Sequence, residues 1–315
     1  MSDSRPFEAM KKGSPERQLF FRKYLGRSIV TICGLFMIAL TVSIGAFLIF
    51  KGTGTFARYG HSVFEFLFSS DWSPLDSGTK SGGGVGAAIY IWGSLLTCGL
   101  ALLIAAPFSL AAAIFITEIS PKLGAQLIQP AVEIFVGIPS VVYGWVGLTV
   151  LVPFIRDTFH APMGGYSVLA AAIVLSVMIF PTITTVAADS IRSVPVMYRE
   201  AAYGLGSTRW QTIYRVVVPA AAPGIITGIV LGLSRAFGEA LAVAMVIGKT
   251  RAFPASLLYP TNNLTAAIAA DMGNSADGGE QNLALWSMAL LLFLISMLFI
   301  VVIHTVSERK EGKIE

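Results

Sequence analysis

Six long apolar runs constrain this chain more than any other feature of its sequence. A helix needs about 20 apolar residues to cross the hydrocarbon core of a bilayer, and each run reaches that length. The runs are Ser28–Phe50, Ala87–Ile116, Leu127–Leu151, Ser167–Ala188, Pro223–Ile247 and Leu283–His304. Only 13% of the 315 residues are charged, whereas soluble domains average about 25%. The sequence therefore predicts an all-α membrane protein with six transmembrane helices.

The basic residues between these runs predict the orientation of the chain in the membrane. Fifteen Lys and Arg residues fall on the side of the two termini and six fall on the other side. Cytoplasmic segments carry such an excess of Lys and Arg, so we predict that both termini are cytoplasmic. The predicted organisation is a tail over residues 1–27, a transmembrane domain over 28–306 and a tail over 307–315. The first run is longer than the about 7–15 apolar residues of a cleavable signal peptide, so we predict that it is a membrane span.

Composition and motifs disfavour several other classes of protein. The net charge of +4 is small, so the basic pI does not indicate nucleic-acid binding. The chain has no GxxxxGK[ST] phosphate loop and no arrangement of nucleophile and base, so neither ATP hydrolysis nor another enzyme activity is predicted. The cysteines and histidines are isolated from one another and predict no disulfide, metal site or cofactor: Cys33, Cys98, His61, His160 and His304.

A polar segment, Met197–Pro219, separates the fourth and fifth runs, and we call it the elbow. A short helix is predicted around Glu200, with Gly204 and Gly206 ending it. A capping box, Thr208–Gln211, then predicts a second helix. That helix would present apolar side chains at three- to four-residue spacing, namely Trp210, Ile213, Tyr214 and Val217, before a turn at Pro219. These features alone fit either a segment that docks into another protein or an amphipathic connector on the membrane surface.

Two charges interrupt the fifth run, which contains the stretch LGLSRAFGEALAVAMVIG. Arg235 is the midpoint of that run, about 18 Å from either end at about 1.5 Å per residue. A charge there costs at least about 2.5–3.5 kcal/mol on insertion scales. Glu239 follows at i+4, on the same face of a continuous helix. The two side chains could form a self-neutralising ion pair, or they could line a water-accessible path for an anion.

We favour the anion path, because the planar guanidinium of Arg235 can bind two oxygens of one oxyanion. Glu239 would hold the arginine while the path is empty and would keep the anion from binding too tightly. Glu133, at the start of the third run, could form a salt bridge within the bundle or line the inner vestibule. The glycines at Gly224, Gly228 and Gly232 predict a helix-packing face.

The elbow resembles the EAA loop of ABC-transporter permeases. That motif consists of Glu-Ala-Ala, three residues, Gly, nine residues and Ile-x-Leu-Pro. The present chain has Glu200, Ala201, Ala202, Gly206 and Pro219 at matching positions, with Val216 and Val218 as conservative replacements. Three further stretches, Thr117–Pro121, Glu133–Leu148 and Leu231–Thr250, resemble the PstC-type permease of the bacterial phosphate ABC transporter.

This resemblance implies an ABC importer permease of MetI-like fold in the bacterial inner membrane. Its elbow would be a coupling helix that contacts the ATPase through the five motif residues. The implied partners are a homologous PstA-like permease with its own arginine, a PstB-like ATPase dimer and a PstS-like periplasmic phosphate-binding protein. Phosphate would pass Arg235, Glu239 and Glu133. The alternatives are an ABC permease for sulfate or molybdate, a proton-coupled carrier that titrates Glu239, and a scaffold without a path.

Overall fold

The structure is a computed structural model that describes residues 26–74 and 83–311. Within these residues it is helical, and the β-structure consists of isolated bridges joining Trp72 to Val85 and Gly248 to Thr261. The α-helices are α1 Gly26–Gly52, α2 Gly54–Tyr59, α3 Val63–Phe68, α4 Ala88–Ile114, α5 Pro121–Leu123, α6 Gln129–Gly137, α7 Ser140–Val146, α8 Val152–Phe159, α9 Val168–Arg192, α10 Val196–Gly204, α11 Arg209–Thr212, α12 Val218–Gly238, α13 Leu241–Val246, α14 Leu264–Asp271 and α15 Glu280–Glu311. π-Helical turns follow α4, α5, α7 and α11, at Phe115–Ile119, Gly124–Ile128, Gly147–Leu151 and Ile213–Val217.

Six helical segments are long and apolar enough to cross a membrane, as the sequence predicts. They are Arg27–Tyr59, Ala88–Ile119, Ser140–Phe159, Met163–Arg192, Arg209–Gly238 and Glu280–Ile303. The chain divides into two units, residues 1–50 and 51–315. Of the first unit, the structure describes only the part that belongs to α1. The predicted tail at 1–27 therefore lies almost wholly outside the described residues, as do residues 312–315 of the second predicted tail.

The third span begins later than the sequence predicts. Helix α6 ends at Gly137, and Ile138 and Pro139 have extended backbone conformations before α7 starts. Proline has no N–H and disfavours helical geometry in the residue before it, which fits a break at this point, and the predicted helix Leu127–Leu151 is not continuous. Across this break the hydroxyl of Tyr143 donates a hydrogen bond of 2.7 Å to the carbonyl of Phe135, which satisfies one of the carbonyls at the end of α6.

The fifth span also differs from its predicted bounds. It is one helical segment with the second half of the elbow, Arg209–Gly238, and Pro219 lies inside it. The predicted turn at Pro219 is therefore wrong, since membrane helices tolerate proline where neighbouring groups satisfy the freed carbonyl. At its other end the helix stops at Gly238, because Glu239 has φ −78° and ψ 119°. Helix α13 then continues the span after this interruption.

Helix α9 lies at the centre of the bundle and packs against α4 and α12. Its contact with α12 uses the predicted glycine face. A Cβ atom on Gly232 would lie 2.6 Å from Cγ1 of Ile183, and one on Gly224 would lie 2.0 Å from Oγ of Ser190. A side chain at either position would clash with a side chain of α9, which confirms the packing face. This close packing also brings the C-terminal turn of α12 next to the middle of α9.

Candidate functional site

Arg235 lies in the last turn of α12, with its side chain exposed. Its Nη1 donates a hydrogen bond of 3.1 Å to Oγ1 of Thr182, which belongs to α9. Thr182 is fourteen residues from Val168 and ten from Arg192, the two ends of α9, or about 21 Å and about 15 Å along the helix. Arg235 is therefore near the middle of the fourth span, although it is not at the middle of its own helix.

Glu239 does not share a helix face with Arg235, so the predicted i+4 arrangement is wrong. The helix has already ended at Gly238, and Glu239 lies two residues before α13, which starts at Leu241. Its Oε1 accepts a hydrogen bond of 3.1 Å from the backbone N–H of Ala242, and its carbonyl accepts one of 2.8 Å from Oγ1 of Thr265. The carboxylate thus caps the start of α13, where a negative charge is favourable.

The guanidinium of Arg235 keeps most of its hydrogen-bonding capacity. Over residues 26–74 and 83–311, no carboxylate lies within ion-pairing distance of it, and Thr182 is its one hydrogen-bond partner. A guanidinium carries five N–H donors in a planar fork. The self-neutralising ion pair is therefore not present in this conformation, and the remaining donors can bind an anion.

Glu133 lies apart from these residues, near the end of α9 that leads into the elbow. Its carboxylate is exposed and accepts a hydrogen bond of 3.3 Å from Nε2 of Gln129. It has no ion-pair partner among the described residues. It lines a cavity of about 150 Å³ together with Ile116, Gln129, Val132, Thr184, Thr185, Ala188, Asp189 and Arg192. Of the two alternatives for Glu133, this geometry supports the vestibule.

Two residues that complete the site were missed in the sequence. Thr182 follows Pro181 within an apolar span, and Thr184 and Thr185 come shortly after it, so nothing in the sequence singles it out. Thr265 belongs to α14, which lies between the fifth and sixth predicted runs and outside both of them. A signal for α14 was present, because Asn263 precedes the alanine-rich stretch and caps it through a 2.8 Å hydrogen bond from the N–H of Ala266.

The elbow has the two-helix form that the sequence predicts. Gly206 has a φ of +80°, which glycine adopts readily, and the capping box at Thr208–Gln211 is present. The predicted apolar stripe is divided, since Ile213 and Val217 are buried whereas Trp210 and Tyr214 are exposed. Among the motif residues Ala202 is buried, while Glu200, Ala201, Gly206 and Pro219 are exposed.

The free surface of the elbow is markedly apolar. Leu205 is 88% exposed and Trp210 is 60% exposed, and Met197, Tyr198, Tyr203 and Tyr214 are exposed as well, as is Val196 directly before the elbow. A cluster of large exposed apolar side chains is typical of a surface that binds another protein or a membrane.

Residues 105–312 match the family described as binding-protein-dependent transport system inner membrane component. The chain belongs to this family. It is therefore an ABC importer permease, a multi-pass membrane component that works with an ATPase and a substrate-binding protein.

Several curated relatives extend over most of the chain. The probable ABC transporter permease protein YqgH of Bacillus subtilis is 51% identical over 286 residues, which are 91% of each chain. The phosphate transport system permease protein PstC of Pasteurella multocida is 34% identical and covers 92% of this chain and 93% of its own. PstC of Mesorhizobium japonicum is 35% identical over 84% of each chain. These matches confirm the resemblance to PstC-type permeases.

Solved structures confirm the predicted permease fold. A chain of the bacterial alginate ABC transporter aligns with a TM-score of 0.63 at 16% identity, covering 93% of this chain and 96% of that chain. A chain of the MetNI methionine ABC transporter aligns with a TM-score of 0.51 at 20% identity, covering 68% of this chain and 93% of that one. At these identities the likeness concerns the fold alone.

Proposed function

We propose that the chain is a permease subunit of an ATP-driven importer of inorganic phosphate. The observation that carries this proposal is the guanidinium of Arg235, which is exposed near the middle of the fourth span with Thr182 as its hydrogen-bond partner. The relatives named as phosphate permeases support the choice of oxyanion. The name of the 51% identical relative specifies no substrate, so the choice of phosphate requires its own test.

Arg235 would bind phosphate through the donors that Thr182 leaves free. A planar fork fits two oxygens of a tetrahedral oxyanion, and the hydroxyl of Thr182 would keep the fork oriented. Glu239 would act next to this site through its charge, while its carboxylate caps α13. Such a nearby negative charge would keep the anion from binding too tightly to be released. Glu133 would contribute in the same way at the inner cavity.

The interruption between α12 and α13 also supports a path at this point. Non-helical backbone at membrane depth is tolerated only where protein buries it or where it lines a water-filled cavity. Thr265 satisfies the carbonyl of Glu239, so the irregular segment is stabilised from within the chain. Discontinuous helices commonly form the substrate sites of membrane transporters.

The remaining assignments extend this proposal to the whole complex. A homologous PstA-like subunit would supply a second arginine opposite Arg235, which offsets the negative charges of Glu239 and Glu133. A PstB-like ATPase dimer would bind the exposed apolar surface of the elbow, and a PstS-like protein would deliver phosphate on the opposite side. Both termini would then be cytoplasmic. Nucleotide binding would shift the population between inward- and outward-open states.

The test is uptake of radioactive phosphate by the whole complex in proteoliposomes, with ATP inside. We expect Arg235→Gln to abolish uptake and Arg235→Lys, which retains a point charge without the fork, to retain a small part of it. Arg156→Gln is the matched control, because Arg156 pairs with Asp157 away from the site. Normal uptake by a well-assembled Arg235→Gln complex would contradict the proposal.

Competition and energy source separate the alternatives. Excess unlabelled phosphate should suppress uptake, whereas suppression by sulfate or molybdate alone would assign the chain to another oxyanion. Dissipating the proton gradient should leave uptake intact, and uptake without ATP would indicate the proton-coupled carrier. A scaffold without a path would tolerate neutralisation of both Arg235 and Glu239.

A further inference from the structure

Both halves of the elbow contact the end of the second span, to which they are not joined in sequence. Arg199 on α10 forms an ion pair with Glu118, with Nη2 and Oε1 2.6 Å apart, and its Nε lies 3.2 Å from the same oxygen. The two side chains are only 18% and 12% exposed. Arg209, at the start of α11, donates hydrogen bonds to the backbone carbonyls of Glu118 and Ile119. We call Arg199, Arg209 and Glu118 the elbow clamp.

Arg199 also holds the end of the fourth span. Its Nη1 donates a hydrogen bond of 2.6 Å to the carbonyl of Val194, and its Nη2 donates one of 3.0 Å to the carbonyl of Ile191. One guanidinium therefore binds the end of α9 and the end of the second span at the same time. Lysine offers a single ammonium group and cannot reproduce this fork.

The segment that the clamp binds is itself tightly folded. Residues 115–119 form a π-helical turn, and the N–H of Ser120 donates to the carbonyl of Phe115 at 3.0 Å. Gly124 returns so close to this turn that a Cβ atom on it would lie 2.6 Å from Cα of Ile116. A displacement of Glu118 would therefore move the end of the second span and the start of α6 together.

Chain connectivity by itself joins the elbow only to the fourth and fifth spans. We propose that the elbow clamp couples the ATPase to the second span as well, by moving Glu118 together with the elbow. Arg199 and Arg209 are positioning residues in this proposal, since they reach the substrate path only through other groups. The inference depends on the ABC permease family and not on the identity of the transported anion.

The first measurement is the number of phosphate ions transported per ATP hydrolysed by the complete complex. Arg209→Gln and Arg199→Lys should lower this ratio at least about fivefold while the complex remains assembled and still hydrolyses ATP. Arg156→Gln is the control, because Arg156 pairs with Asp157 and lies outside the elbow. If transport and hydrolysis fall in parallel in the clamp variants, the residues have only a structural role and the proposal is wrong.

The second measurement requires no substrate and uses two spin labels. One label is attached at Lys122→Cys, next to the end of the second span, and the other at Ser207→Cys in the elbow. Cys33 is replaced by serine, and Cys98 is buried and retained. With the clamp intact, the distance between the labels should be the same with and without trapped nucleotide. In Arg209→Gln and Arg199→Lys the distribution of distances between the labels should broaden and its mean should shift when nucleotide binds.

The two measurements fail in distinguishable ways. A wild-type complex that transports no phosphate contradicts the proposed substrate, and the label distances then decide on the clamp. A nucleotide-dependent distance in the wild-type complex would overturn the clamp whatever the substrate. An unchanged distance in both clamp variants would overturn it as well.

Discussion

Substitutions of Glu239 separate its role as a helix cap from the role of its charge. The carboxylate Oε1 accepts the N–H of Ala242 at 3.1 Å. Glutamine places a carbonyl oxygen at the same point, so Glu239→Gln should retain the cap while removing the negative charge. Glu239→Ala removes both the cap and the charge. Comparison of the two variants therefore isolates each contribution.

The structure indicates how large the loss of the cap should be. Removing a side-chain cap costs about 0.5–2 kcal/mol, typically about 1 kcal/mol. The Thr265 hydroxyl would still bind the carbonyl of residue 239 at 2.8 Å, so the interrupted segment keeps one of its two anchors. We therefore expect about 1 kcal/mol for Glu239→Ala. Soluble proteins of 150–250 residues lose about 2–4 °C in Tm per kcal/mol, and this longer chain should lose about 2 °C.

The assay is thermal unfolding of the purified complex in detergent, followed by phosphate uptake after the same preparations are reconstituted into proteoliposomes. Glu239→Gln should unfold at the wild-type temperature, and Glu239→Ala should unfold about 2 °C lower. If glutamine destabilises as much as alanine, capping is not the role of this carboxylate. A changed uptake rate in Glu239→Gln at unchanged Tm would show that the charge acts on the anion path.

Three further results are expected from the geometry. Gly93→Ala should abolish the folded protein, because its Cβ would lie 2.0 Å from the carbonyl oxygen of Asn262. Gly99→Ala on the same helix should be tolerated, because a Cβ there has no neighbour within 4 Å. The yield of protein in the membrane checks both expectations. Thr182→Val should raise the KM for phosphate about fivefold, corresponding to about 1 kcal/mol for the lost hydrogen bond, while Thr182→Ser should retain the wild-type KM. Leu205→Asp should prevent co-purification of the ATPase without reducing the yield of the permease, because Leu205 is 88% exposed.

Local sequence patterns accounted for most of the fold. The lengths of the apolar runs predicted six spans, and the capping box and Gly206 predicted the two-helix elbow. These features depend on hydrophobicity and on hydrogen bonds between residues close in the chain, so they can be predicted from the sequence alone. The elbow motif and the longer resemblance likewise identified the permease family, which the comparisons confirm.

The sequence by itself determined that this protein crosses the membrane, where its elbow lies and that Arg235 occurs in an apolar span. Only the tertiary structure decided which residues these groups bind. The carbonyl of Glu239 is satisfied by Thr265, Arg235 is held by Thr182, and Arg199 reaches Glu118 81 residues away. Such partners come from other helices, so no periodicity within one helix reveals them. A helix can end inside an apolar run when a distant hydroxyl satisfies its free backbone groups.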